Sequence, residues 1–337
     1  MKRLIITGPK QASFEDVPMP ACTTDGIIVQ ARVTAISAGT ELRVYNAVPV
    51  DSAGHFMHEN VPFSLPSENG YSMVGEVVEV GTEVQDLQVG DRVFVPSPHK
   101  EYAAYPAAAA IPLPDSVADK EAVMLNIMEV SHNALRQAAP EPGANVAVIG
   151  QGIIGLSLTA YATAFGFRTA VLDTAPTRLE IARQMGALFA ASPTTENARA
   201  QIIELFGSDG ADTAYEATSN WAGIRTAMEV TRTDGKVVVV SRHTTVPDFN
   251  PVGHPFFGKR LHLITTYATQ AANHRWSERR SAELTIDLLA RQRLDIKPML
   301  THQFAWHELP EIYQRLDAGD RSIVGTTIHW DGSNAIH

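Results

Sequence analysis

The stretch Asn145–Asp173, NVAVIGQGIIGLSLTAYATAFGFRTAVLD, decides the fold. Its apolar run Val146–Ile149 has the length and composition of a strand buried on both faces. The strand leads into Gly150-Gln151-Gly152-Ile153-Ile154-Gly155, a G-x-G-x-x-G turn. LSLTAYATAF then reads as an apolar, small-residue helix of about three turns, closed by Gly166. Thr169–Leu172 is a second strand, and Asp173 ends it. Each part has a physical job in holding a dinucleotide. Gly150 permits the tight turn, Gly152 lets backbone approach a pyrophosphate, and Gly155 lets helix pack on strand. The helix start, at Ile153 and Ile154, offers unpaired N–H groups and a positive dipole end to phosphate oxygens. Asp173 falls 23 positions after Gly150, close to the roughly 20 expected of a carboxylate that binds a ribose 2′-hydroxyl. That acid repels a 2′-phosphate, so the reading is NAD in preference to NADP. Arg178, just past it, is able to accommodate a 2′-phosphate, or else covers the adenine or sits in solvent.

Outward from this unit, 337 residues with 45% hydrophobic content imply two domains with substantial cores. The net charge of −10, without a basic cluster, argues against nucleic acid and anionic membrane as partners. No apolar run is long enough to span a bilayer, and MKRLIITGPK lacks a signal-peptide core, so the expectation is a cytoplasmic protein. Cys22 stands alone, which excludes an intrachain disulfide and any cysteine-rich zinc module.

Before the nucleotide-binding stretch the chain reads mainly as strands: Lys2–Thr7, the alternating Gly26–Ala35, Gly70–Val80 and Asp91–Pro96. Between them Tyr45–Glu68 is a long aperiodic segment rich in Pro, Gly, His and Ser, the kind of loop that usually carries function. Ser116–Gln137 has mixed helical patterning. After Asp173 the alternation continues. Helices are expected at Thr177–Met185, Ala198–Phe206 and Trp221–Val230, and strands at Thr213–Glu216, Val237–Val240 and Leu261–Thr265. This pattern builds a doubly wound parallel sheet. Ser281–Arg291 and Leu309–Leu316 read as helices, and Thr301–Phe304 and Ile323–Trp330 as strands that rejoin the first domain. The expected fold is α/β, with residues 1–123 and 272–337 forming a β-rich domain and 124–271 inserted as the nucleotide-binding domain.

With these residues in place, the sequence resembles the medium-chain dehydrogenase/reductase superfamily, the zinc-type alcohol dehydrogenases and their relatives. The markers are ISAGTELRVY, GYSMVGEVVEVG, VGDRVFV, the glycine turn with Asp173, DTAYEAT ending at Thr218, and DGKVVVV, which runs on to Ser241. The resemblance implies a GroES-like catalytic domain, an inserted Rossmann domain, an active site between them and a homodimer formed through the Rossmann domain. It also implies cofactor contacts at Thr218 and Ser241.

The sequence departs from the family at the metal. Zinc-dependent members carry a cysteine in C-x-[ST]-[DE], which here reads Ala38-Gly39-Thr40-Glu41. They carry a histidine in G-H-E-x-x-G, which here reads Gly70-Tyr71-Ser72-Met73-Val74-Gly75. The third ligand falls near Leu125-Asn126. Alanine and leucine have no lone pair to give, and tyrosine and asparagine are poor zinc ligands. The chain therefore resembles a zinc-free branch.

Without zinc, another group must manage the alcohol proton as hydride moves to the nicotinamide. Thr40 matches the family hydroxyl that bonds the substrate oxygen, or else simply caps a turn. Tyr71, in the lost histidine position, is a candidate acid/base or a filler of the vacated space. Arg43 is a candidate contact to cofactor or polar substrate. Glu129 and His132 share a helix face at i, i+3, and His132 has the ordinary pKa for proton transfer. His55 and His58 form H-x-x-H with Glu59 beside them, but no recognisable ligand set completes it. The cleft's hydroxyls and charges suit a polar alcohol or ketone such as a polyol, sugar or cyclitol. Two other functions compete: an NADPH-dependent enone or quinone reductase, against which Asp173 counts, and a nucleotide-binding protein without catalysis.

Overall fold

The computed structural model describes residues 1–47, 65–207, 209–243, 245–266 and 276–330. His55, His58 and Glu59 lie outside them. The chain forms two compact units: residues 1–126, 282–290 and 300–337 make the first, and residues 127–281 and 291–299 the second.

In the first unit, strands β1 (Lys2–Gly8), β2 (Gln11–Asp16), β3 (Gly26–Ala35), β4 (Ser67–Glu68), β5 (Met73–Val80), β6 (Arg92–Val95), β7 (Tyr102–Pro106) and β8 (Ile111–Pro112) precede the nucleotide-binding stretch. β1 sits between β2 and β4, while β3 pairs antiparallel with both β5 and β7. GIIVQARVTA alternates as a half-buried strand would, yet β3 is buried except at Gln30 and Arg32. The cluster of Leu4, Ile6, Val77 and Ile328 covers the Ile27, Val29 and Ala31 face, and β3 lies inside its sheet with strands paired on both edges, so its position overrides the local pattern. Helix α1 (Ala38–Tyr45) carries no sequence signal of its own, since Ala-Gly-Thr is a weak start and eight residues are marginal alone. Tertiary contacts hold it. α2 (Asp119–Ala122) and α3 (Leu125–Ala138) divide the helical stretch that reads as one in sequence.

In the second unit, β9 (Asn145–Ile149), α4 (Ile153–Ala164) and β10 (Arg168–Leu172) realise the quoted stretch. α5 (Pro176–Gln184), β11 (Phe189–Ala191), α6 (Ala198–Leu205), β12 (Ala211–Glu216), α7 (Trp221–Val230), β13 (Thr231–Val239), α8 (Phe256–Lys259) and β14 (His262–Thr265) follow. All six strands are parallel, in the order β11-β10-β9-β12-β13-β14. The order reverses between β9 and β12, and the carboxyl ends of these strands mark where a doubly wound sheet binds its ligand. β13 starts earlier than its apolar core implies, running through Asp234, which adopts a φ of +57° where a turn was expected. α9 (Glu278–Ala290) then leads to β15 (His302–Ala305), α10 (Leu309–Asp317) and β16 (Thr326–His329). In the first unit β16 pairs with β3 on one side and β15 on the other.

α4 shows why the glycines are where they are. A Cβ on Gly155 would sit 1.8 Å from the carbonyl oxygen of Gly150, so no side chain fits between helix and turn. Gly150 has a φ of +93°, and a Cβ there would press on the Thr218 methyl and the Ala217 carbonyl. Gly155→Ala is expected to destabilise the fold by about 1–3 kcal/mol, the usual cost of overpacking, seen as a lower Tm; an unchanged Tm would contradict the backbone-on-backbone contact.

Candidate functional site

The nucleotide half of the site is built on β9, α4 and β10. Gly152 caps α4 in extended backbone, and a Cβ placed on it would meet nothing within 4 Å. Its lack of a side chain is thus required neither by backbone angle nor by the protein around it. It keeps open the space at the helix N-terminus that a diphosphate needs. Ile153 and Ile154 open the helix beside it, both half-buried. Asp173 is nine-tenths buried and accepts hydrogen bonds from Gln151 N at 2.6 Å and Ala175 N at 2.7 Å. Each carboxylate oxygen keeps a further lone pair, so Asp173 can tie the glycine turn to β10 and still accept from a ribose. Arg178 lies in the first turn of α5, half-buried. These residues fit a dinucleotide.

At the end of β12, Glu216 is fully buried. It accepts from Thr218 N (2.6 Å), Thr218 Oγ1 (2.5 Å), Ser241 Oγ (2.7 Å) and His243 Nε2 (2.8 Å). Burial works to raise this carboxyl, but the hydrogen bonds from His243, Thr218 and Ser241 outweigh it and hold its pKa below the ordinary value. Thr218 and Ser241, expected as cofactor contacts, thus both direct their hydroxyls at Glu216. Glu216 is marked in the sequence only by its place at the carboxyl end of a strand, and His243 only by lying in the loop after one.

His132 is packed inside the second unit, its ring 5.5 Å from Tyr161 and 5.2 Å from Trp276, with Nδ1 3.0 Å from Ser281 Oγ. Burial, helped by Arg136, pushes its pKa down to about 4. It is a neutral core imidazole near pH 7, and the shift removes the property that made it a proton-transfer candidate. Glu129, one turn earlier, is 8% exposed. Burial and the Glu278 carboxylate push it up to about 7 against the pull of Arg136.

In the first unit, Thr40 is exposed near the start of α1, and its hydroxyl has no hydrogen-bond partner among the described residues. Arg43, in the last turn, is half-buried. Glu41 beside Thr40 is buried. It accepts from Ser37 N at 2.7 Å and Tyr313 Oη at 2.6 Å, and its Oε2 lies 3.0 Å from His99 Nε2. His99 Nδ1 reaches Thr34 Oγ1 at 2.8 Å. Burial and the neighbouring carboxylate push the Tyr313 phenol well above its ordinary value, so it remains a donor. Asn69 joins this cluster, donating to the Glu41 carbonyl and to Tyr313 Oη, both at 3.2 Å. The helix carrying Thr40 is thereby fixed to Asn69, two residues before Tyr71, and to His99 and Tyr313. No sequence signal marks His99 or Tyr313.

The resemblance assigns the zinc-ligand positions to Ala38, Tyr71 and the neighbourhood of Leu125-Asn126. Hydrogen bonds tie two of these segments directly: Asn126 Nδ2 donates to the Tyr71 carbonyl at 2.8 Å, and Ser72 Oγ to the Val123 carbonyl at 2.8 Å. Asn126 is thus engaged as a donor, two of the three positions have no lone pair, and the set does not fit a zinc ion. No three His, Cys, Asp or Glu side chains among the described residues could hold a metal. No helix of the described residues is long and apolar enough to cross a membrane.

A six-stranded parallel sheet with this turn fits a dinucleotide, and the relatives of this chain make it an NAD(P)-dependent oxidoreductase acting on CH–OH groups. Comparison with known proteins supplies the family. The model for the alcohol dehydrogenase GroES-like domain matches residues 26–115, and that for zinc-binding dehydrogenase matches residues 154–283, nearly two thirds of the chain together. The chain belongs to the medium-chain dehydrogenase/reductase superfamily, of the zinc-type alcohol dehydrogenase kind. Sorbitol dehydrogenase of Bacillus subtilis is 25% identical over 94% of this chain and 93% of its own length. L-galactonate-5-dehydrogenase of Escherichia coli is 25% identical over 96% and 97%. Among solved structures, 2R,3R-butanediol dehydrogenase from Bacillus subtilis superposes with a TM-score of 0.82 at 21% identity, covering 98% of this chain and 99% of that one, which establishes the shared fold. The match named for zinc binding covers none of positions 38, 71 and 125.

The Glu129 shift has a consequence for stability. A carboxyl whose pKa is raised in the folded state binds more protons there than in the unfolded chain, so stability falls as pH rises from about 4.5 to about 7. Above that window the cost is constant, about 3 kcal/mol for a shift of this size. Glu129→Gln should raise Tm at pH 8 and leave it near the wild-type value at pH 4.5; equal effects at both pH values would contradict the assignment.

Proposed function

We propose that this protein is a zinc-independent, NAD(H)-dependent alcohol dehydrogenase or carbonyl reductase whose substrate is a polar secondary alcohol or its ketone, of the polyol, sugar or cyclitol class. The observation that carries the zinc-independent reading is the donor set itself: Ala38, Tyr71 and Leu125 stand where a metal would need thiolate, imidazole or carboxylate. The names of the sorbitol and L-galactonate relatives support the substrate class. Asp173 supports NAD, since a buried carboxylate at the ribose position repels a 2′-phosphate.

In this reading bound NAD accepts the hydride at its nicotinamide ring. The chain's residues do the rest. Thr40 Oγ1, exposed and without a partner among the described residues, bonds the substrate hydroxyl and fixes its oxygen. Tyr71 is the acid/base candidate, exchanging the alcohol proton as the carbonyl forms. The buried Glu41–His99–Tyr313 cluster keeps α1, and with it Thr40, from shifting. Arg43 contacts cofactor or substrate, and Glu129, with its pKa near 7, is the reserve proton carrier. The protein acts as a cytoplasmic homodimer formed through the Rossmann sheet, where edge strand β14 leaves Leu263 45% exposed.

Absorbance of NADH formed with a panel of polyols, sugars and simple alcohols tests this function. Growth of signal with polyols and NAD, and much less with NADP, is expected. Activity confined to enones or quinones with NADPH would replace the proposal with an enone-reductase reading. Nucleotide binding without turnover on either panel would leave a non-catalytic binder. On the active substrate, Thr40→Ala and Tyr71→Phe are each expected to lower kcat by about 10²-fold, the lower end for a proton-handling group. Full turnover in both variants would remove them from the mechanism.

A further inference from the structure

The Glu216 cluster lies at the carboxyl end of β12, where the strand order reverses. Glu216 is in register with Ile149, the residue before the glycine turn, and Ala217 N donates to the Ile149 carbonyl at 2.8 Å. The cluster joins two loops. Ser241 Oγ donates to Glu216 and accepts from Ser219 N at 2.8 Å, so residues 217–220 and 241–243 are held as one body. That body touches the phosphate turn, since the Thr218 methyl lies against Gly150. Glu216 therefore fixes the wall of the nucleotide site on the β12–β13 side, opposite Asp173 on β10.

One atom of this cluster is left over. The His243 side chain is 8% exposed, its ring 4.9 Å from that of Trp221, and its Nε2 faces Glu216. Its Nδ1 is buried and has no hydrogen-bond partner among the described residues. In a neutral ring bonded to Glu216 through Nε2–H, Nδ1 is an acceptor; in a doubly protonated ring it is a donor. A buried polar atom of either kind is costly unless something meets it. A sugar hydroxyl, both donor and acceptor, satisfies Nδ1 in both states.

We infer that His243 is a cofactor-binding residue: held by Glu216, its Nδ1 hydrogen-bonds a hydroxyl of the ribose on the nicotinamide half of the dinucleotide. The half follows from the topology. Asp173 at the end of β10 takes the adenosine ribose, the diphosphate crosses the switch point over Gly152, and the second ribose falls on the β12–β13 side. The inference rests on the nucleotide-site reading and adds a residue and a subsite to it.

The test compares two probes on the full chain, NADH and ADP, the second of which lacks the nicotinamide half. Binding is read by quenching of protein fluorescence or calorimetry, with Tm as the control for folding. His243→Gln places an amide nitrogen near the Nε2 position, keeping the bond to Glu216 while removing Nδ1. His243→Asn places an amide near the Nδ1 position instead. His243→Gln should weaken NADH binding about tenfold, the effect of one lost hydrogen bond to a buried group, with ADP affinity and Tm unchanged. His243→Asn should bind NADH more tightly than His243→Gln. Wild-type NADH affinity in His243→Gln would overturn the inference, as would equal loss for NADH and ADP. If the unmodified protein bound neither probe, the nucleotide-site reading itself would fall.

Discussion

A carboxylate taken out of water must be surrounded by donors, and three such carboxylates set the loops of this protein. Glu41, Asp173 and Glu216 are each at least nine-tenths buried, and the donors around each come from more than one segment. Asp173 draws in the backbone of the glycine turn and of the start of α5. Glu216 draws in the loops after β12 and β13. Glu41 draws in Ser37, His99 and Tyr313, residues that lie far apart in sequence. Loops usually lack the periodic contacts that hold helices and strands, and a buried charge substitutes for them, because any displacement leaves the charge without compensation. Prefixed loops are what hydride transfer needs, since reacting atoms must meet in one geometry.

The nucleotide-binding half was legible because its constraints are local. The Gly150, Gly152 and Gly155 positions, the buried run of β9 and the terminal Asp173 each follow from backbone geometry within 29 residues, and the structure returns that order of elements. The Gly152 position is the clearest case, open to a ligand and blocked by nothing in the protein. The long-range parts were not legible. Glu41 meets Tyr313 across 272 residues and His99 across 58, and neither partner belongs to a spacing motif. His132 failed in the opposite direction: its spacing suggested chemistry, but rings from α4 and Trp276 enclose it and keep it neutral. Thr218 and Ser241 were expected as cofactor contacts, and sequence alone could not show that their hydroxyls turn to a carboxylate two residues away in one case and 25 in the other.

The family comes with zinc in its name, and the donor set disagrees with it. In zinc-dependent relatives one ion links three segments. Here Asn126 bonds the Tyr71 backbone, Ser72 bonds the Val123 backbone, and Glu41 of α1 is tied to Asn69 and His99. Hydrogen bonds tie these segments of the first unit together without a metal.

The claim that the chemistry is independent of zinc is met most directly by elemental analysis of the purified protein, paired with its turnover before and after exhaustive dialysis against a chelator. The account predicts zinc well below one per chain and a rate that chelation leaves unchanged. One firmly held zinc per chain, whose removal abolishes turnover and whose return restores it, would contradict the account.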